Sequence, residues 1–206
     1  MNAKEFNSQV DSVLAPILAE AGFKKLGSDF AREHDSSQLV LFRFAGSKFA
    51  SLCQFTKFML CFRHTFLRDV WEKIPDSYPK EPSGFPFRIR PSELSSGDWQ
   101  HWIYQFQLNA VEHDNIDFGA FDDARQILRR MGEAVAGPGV TWASRFTVEE
   151  SLRLLSSSSP PAFVERLWIE DYSGKLQSGR RGDFPPPPHT TGHAGPRPAV
   201  PGRPEG

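Results

Sequence analysis

The chain has 206 residues, with 24 Lys and Arg against 25 Asp and Glu and a formal net charge of −1. That length supports one full domain, and 18 Phe with 5 Trp supply large side chains for its core. The near-neutral balance excludes an obvious polyanion binder, and no apolar stretch approaches the ~20 residues of a membrane helix. The charge is uneven: residues from Tyr172 onward carry a net +3, which leaves −4 over residues 1–171. A mildly acidic folded part speaks against nucleic acid and for solubility or a basic partner.

The first segment has Phe6, Val10, Val13, Leu14, Ile17, Leu18 and Ala21 at helical spacing. Asn2 is placed to cap this helix and Gly22 to end it, with Pro16 expected to kink or split it. Strands are expected at Phe30 to His34 and at Gln38 to Phe44, with a turn at Asp35-Ser36-Ser37 between them. After a further turn, Leu52 to His64 is a long Phe-rich apolar run. Short polar turns between these strands indicate an antiparallel meander. Cys53 and Cys61 lie in that run, roughly 26 Å apart on a single strand, so they cannot form a disulfide with each other. With no apolar signal-peptide region at the N-terminus, a reducing, cytoplasmic setting is expected.

Phe66 to Ile74 has the look of a short helix. Five prolines between Pro75 and Pro91 then mark a loop, with Phe87 to Arg90 as an edge strand. Trp99 to Val111 alternates with period two and reads as a strand. Glu112, Asp114 and Asp117 form an acidic connector to a second helix, from about Asp117 to Ala136, which Gly137-Pro138-Gly139 should stop. Thr147 followed by Glu150 spells a capping box for a short helix. The expected organisation is one α+β domain over 1–157, a linker with a short apolar segment over 158–171, and a disordered Pro- and Gly-rich tail over 172–206. Its fold is an antiparallel sheet of about four to five strands packed by the two long helices.

No nucleotide, hydrolase or zinc motif is present, and no cofactor or metal is expected. The cluster Glu112-His113-Asp114 with Asp117 meets no metal-spacing rule and reads as a solvated connector. His34, His64 and His101 lie on different predicted strands, so a three-histidine site would need one particular register. Candidate binding residues come from the sheet. One face is expected to hold Val40, Phe42, Phe44, Leu60, Phe62, Trp102, Tyr104 and Phe106. The opposite face would hold Arg43, Lys57, Arg63, Gln105 and Gln107, a basic, amide-rich platform for an anion or an acidic segment. Arg88 and Arg90 on the edge strand form a second candidate clamp, with protection of the edge as the competing role. In the tail, Arg181-Gly182-Asp183 is coincidental in this setting, and Pro185 to Pro188 are compatible with a polyproline helix.

The segments Gly22-Phe23-Lys24-Lys25, Phe30-Ala31-Arg32 and Leu39-Val40-Leu41-Phe42, followed by the Trp99 strand and Phe146-Thr147-Val148-Glu149-Glu150, resemble the bacterial domain of unknown function 4304. The resemblance covers roughly residues 1–157. It implies an α+β fold and no established catalytic residues, and small bacterial domains of this kind include toxin-neutralising immunity proteins. The expected function is a non-enzymatic protein-binding domain, an immunity-type inhibitor being one version. The alternative is a domain or enzyme that takes a small anionic ligand.

Overall fold

The computed structural model describes residues 3–44, 48–49, 53–67, 84–95, 103–108, 111–117, 121–157 and 163–182. Helix α1 (Ala3–Glu20) leads into strands β1 (Lys24–Leu26), β2 (Asp29–His34), β3 (Ser37–Phe44), β4 (Lys48–Phe49) and β5 (Cys53–His64). After β6 (Phe87–Ile89) come β7 (Ile103–Leu108) and β8 (Val111–Asp117), then α2 (Phe121–Ala134), α3 (Val140–Ala143), α4 (Val148–Ser156) and α5 (Phe163–Gly182). The fold is α+β, as expected. Five longer strands are joined in the order β2-β3-β5-β8-β7, with β1 added at the β2 edge and the short β4 and β6 paired to β5. Every pairing is antiparallel.

Helix α1 runs unbroken through Pro16. The proline removes the hydrogen bond to the Ser12 carbonyl, but Pro16 and Ser12 both lie on the exposed side, where water replaces the lost donor. The helix ends in a Schellman motif: Phe23 N–H donates to the Leu18 carbonyl at 2.9 Å and Gly22 N–H to the Ala19 carbonyl at 2.9 Å. Gly22 takes φ +83°, a left-handed conformation that disfavours a side chain. At the β2–β3 hairpin Asp35 takes φ +50°, within reach of a short polar residue.

The main core lies between one sheet face and the helices. Val10, Leu14 and Leu18 of α1 and Leu128, Met131 and Val135 around α2 meet Leu41 of β3 and Phe58 and Leu60 of β5, all with no exposed surface. Gly132 lets α1 come close, since a Cβ there would stand 3.3 Å from Ile17 and Leu14. The other sheet face is also covered. Val40, Phe42, Met59 and Cys61 are buried, and Phe85 lies edge-on to Phe42 with ring centres 5.2 Å apart. Burial pushes the Cys61 thiol well above its ordinary pKa.

Several expectations are corrected. Gly137-Pro138-Gly139 does not stop the second helix; Val135–Gly139 widens into a π turn that carries the chain directly into α3. The missing N–H of Pro138 explains the shift in hydrogen bonding. Glu112 to Asp117 is strand β8, not a connector. Helix α5 continues to Gly182, and Tyr172 is fully buried, so residues 172–182 belong to the folded body and not to a disordered tail. The expected helix at Phe66 to Ile74 falls mostly outside the described residues, as do Trp102, Asn2, the proline run and residues 183–206. Thr147 caps α4, accepting from Glu150 N–H at 3.2 Å. The Glu150 carboxylate, however, accepts from Arg153 Nε at 2.7 Å instead of closing the box.

At Gly139 this helical run closely approaches the sheet, because a Cβ there would stand 2.8 Å from Leu60 Cδ2, on a side chain with no exposed surface. Gly139→Ala is expected to cost on the order of 1–3 kcal/mol in urea unfolding. Gly137→Ala, with open space around it, is expected to be neutral or to stabilise by about 0.5 kcal/mol.

Candidate functional site

The register separates the expected basic platform. Directly paired residues share a sheet face. Phe44 pairs with Lys57, Phe42 with Met59, Val40 with Cys61 and Gln38 with Arg63, so Lys57 and Arg63 sit in the rows of Phe44 and Gln38. Arg43 pairs with Phe58, Phe58 with Asp114 and Asp114 with Gln105, with Gln107 two residues further along β7. Arg43, Gln105 and Gln107 thus occupy register positions on the helix-covered side, and Lys57 and Arg63 on the other. The grouping of Leu60 and Phe62 with Val40 and Phe42 fails for the same reason: Leu60 and Phe62 pair with Leu41 and Leu39.

The individual arginines are also committed. Arg43, buried, donates from Nη1 to Asp11 of α1 at 2.7 Å, and its backbone N–H donates to Asp29 Oδ1 at 2.9 Å. Lys25 Nζ reaches the second Asp11 oxygen. This cluster ties α1 to β3 and makes Arg43 a structural residue. Arg63 Nε donates to Gln38 Oε1 at 2.9 Å while its guanidinium covers the Phe85 ring, 4.9 Å from the centroid. Arg90 is held by Glu93, three residues on. Arg88 is exposed and pairs with Cys61 across β5 and β6.

The structure opens a cleft elsewhere, between the β2–β3 hairpin and α3. It has a volume of about 190 Å³. Leu39, Phe62, Val140 and Ala143 form its apolar floor, and Arg32, His34, Ser37 and Ser144 its polar side. Each element has a reason to be there. Period two on β2 puts Arg32 and His34 on the same side as the core residue Phe30. On the opposite wall, the π turn ahead of α3 presents Val140 and Ser144; such turns recur at functional sites. Among the described residues β1 pairs only with Asp29 to Ala31, so Arg32 to His34 have β3 on one side and no strand on the other.

Behind the cleft floor runs an aromatic ladder. Phe62 stacks on Phe146 with ring centres 5.1 Å apart, Phe146 on Phe87 at 4.1 Å, and Phe62 meets His64 edge-on at 5.2 Å. His64 Nδ1 and the Tyr172 hydroxyl share a hydrogen bond of 2.8 Å between buried residues, which locks α5 onto β5. Burial lowers the His64 pKa and pushes the Tyr172 phenol up to about 12. Ser151 beside the phenol works the other way, although its buried hydroxyl oxygen is not aligned for a hydrogen bond of normal geometry. Lys175 lies over the outer ring Phe66, 5.6 Å from its centroid. Among the described residues no three His, Cys, Asp or Glu side chains come together as metal ligands, and no helix is long and apolar enough to cross a membrane.

The fold and cleft define the class only as an α+β domain with a small apolar cleft at a sheet edge. Comparison with family models, curated proteins and solved structures finds no match.

Two outcomes follow from these contacts. Arg43→Glu, which sets a carboxylate against Asp11 in a buried place, is expected to cost on the order of 3–5 kcal/mol in chemical denaturation. His64 holds fewer protons folded than unfolded, so its contribution is fully present above about pH 6.5 and falls away as the pH drops below it. Unfolding midpoints between pH 7.5 and 5 should therefore fall, and His64→Asn should flatten that dependence.

Proposed function

We propose that this protein is a non-enzymatic, cytoplasmic protein-binding domain that grips its partner at the cleft between β2–β3 and α3. The observation that carries this reading is the size of the cleft. Its volume of about 190 Å³ lies below the ~300–1,000 Å³ of small-molecule sites. It suits one apolar side chain of a partner, entering beside Arg32 to His34 of β2, which have no strand on their outer side among the described residues. Kinship with the domain of unknown function 4304 and an immunity-type inhibitory role fit the same reading. The alternative, an anionic-ligand domain or enzyme, drew on Arg43, Lys57, Arg63, Gln105 and Gln107 acting from one face, and the register divides them. The net −4 of residues 1–171 suits a partner that is basic over its whole surface. The cleft itself has no carboxylate among its described lining residues.

The test is capture by the full chain from a lysate of its source cell, in parallel with Ser144→Trp, which places a large ring at the cleft mouth. A stoichiometric partner held by the wild type and lost by the variant, with both melting at similar temperatures, is the expected result. Retention by the variant would move the grip away from the cleft, and capture of nothing by either protein would overturn the protein-binding reading.

A further inference from the structure

Arg32 is half-buried and lines the cleft, yet among the described residues it makes no hydrogen bond or ion pair. Its stem passes close to Gly22, where a Cβ would stand 3.7 Å from Nε. The other polar lining groups already use their donors locally. Ser37 Oγ donates to the His34 carbonyl at 2.8 Å, Ser144 Oγ donates to the Thr141 carbonyl at 2.8 Å, and His34 Nδ1 lies 3.1 Å from Asp35 Oδ2. Beside His34 Nε2, the guanidinium therefore provides the cleft's uncommitted side-chain donors among the described residues. Their planar fork matches the two oxygens of a carboxylate. A partly desolvated cation beside an apolar floor strengthens such a pair beyond its worth in open water.

We infer that Arg32 is the recognition residue of the cleft and that the partner segment it receives pairs an apolar side chain with an adjacent carboxylate. The apolar group fills the space over Leu39, Phe62 and Val140, and the carboxylate meets the Arg32 fork at the rim. This rests on the protein-binding reading above and names the local chemistry of the partner. A partner that is basic overall still presents an acidic-apolar segment at this point.

The experiment is selection of a displayed library of random peptides on the full chain, followed by titration of the selected peptides against wild type, Arg32→Gln, Arg32→Lys and Ser144→Trp, with thermal melts to confirm folding. The inference expects Asp or Glu next to Leu, Ile or Phe in the selected peptides. It also expects weaker binding by roughly tenfold or more for Arg32→Gln, intermediate loss for Arg32→Lys, which keeps the charge without the fork, and loss of binding for Ser144→Trp. Peptides that need the open cleft but lack a carboxylate, or that bind Arg32→Gln as well as wild type, would overturn the role of Arg32 and leave the protein-binding reading standing. If no peptide is selected and 3-phenylpropionate instead saturates the cleft with loss in Arg32→Gln, the carboxylate comes from a free small molecule and the peptide inference falls together with the protein-binding reading. If neither probe binds, both fall.

Discussion

Between Phe58 and Phe62 strand β5 has no polar side chain, so neither of its faces tolerates water. Antiparallel sheets commonly leave one face solvated; here that option is closed, and the rest of the chain is arranged around the need to cover β5 twice. Phe58, Leu60 and Phe62 are sealed by α1, α2 and the turn into α3, while Met59 and Cys61 are sealed with Val40, Phe42 and Phe85 on the opposite side. The edges of β5 are shared in the same way. β3 pairs along one edge from Ser37 to Phe44, and the other edge is divided between β8, at Phe55 to Phe58, and β6, at Leu60 to Phe62.

A central strand buried on both faces moves function to the periphery. The cleft forms where the cover ends, because β1 stops short of Arg32 and α3 is only a single turn long. Its floor is the outer end of the same core, with Phe62 belonging both to the cleft and to the aromatic ladder that ends at Tyr172. Packing of α5 through the His64–Tyr172 hydrogen bond is thereby mechanically linked to the floor of the cleft.

Strands β2, β3 and β5 are legible because alternation and turn residues are local signals, whereas β1, β4 and β8 are not. Asp29–His34, Ser37–Phe44 and Cys53–His64 all appear within a residue or two of where patterning puts them. Register was not. Arg43, Lys57 and Arg63 share odd numbering, which means nothing across strands: Arg43 lies opposite Phe58, and that one-residue offset sends it into the core with Asp11. Residues 172–182 read as tail because the chain from Tyr172 onward is dominated by Pro, Gly and polar residues, yet Val164, Trp168 and Tyr172 recur every fourth residue and are all buried. Docking of that stripe outweighs the local preference. The cleft was hidden for a different reason. It joins Ser37 to Ser144, far apart in the chain, and only the shared parity of Phe30, Arg32 and His34 hints that Arg32 and His34 stand on the helix side of β2.

The Cys61 thiol, with no exposed surface between strands β3 and β6, is chemically silent for as long as the sheet is closed. Oxidants and electrophiles reach it only in molecules that have already opened, where it becomes an ordinary reactive thiol. A bulky adduct formed there would keep the sulfur from returning to its buried position until the adduct is removed, and oxidation beyond the reversible steps would make the opening permanent for that molecule. The residue that completes the second core thus also registers, in its own chemistry, that the core has opened.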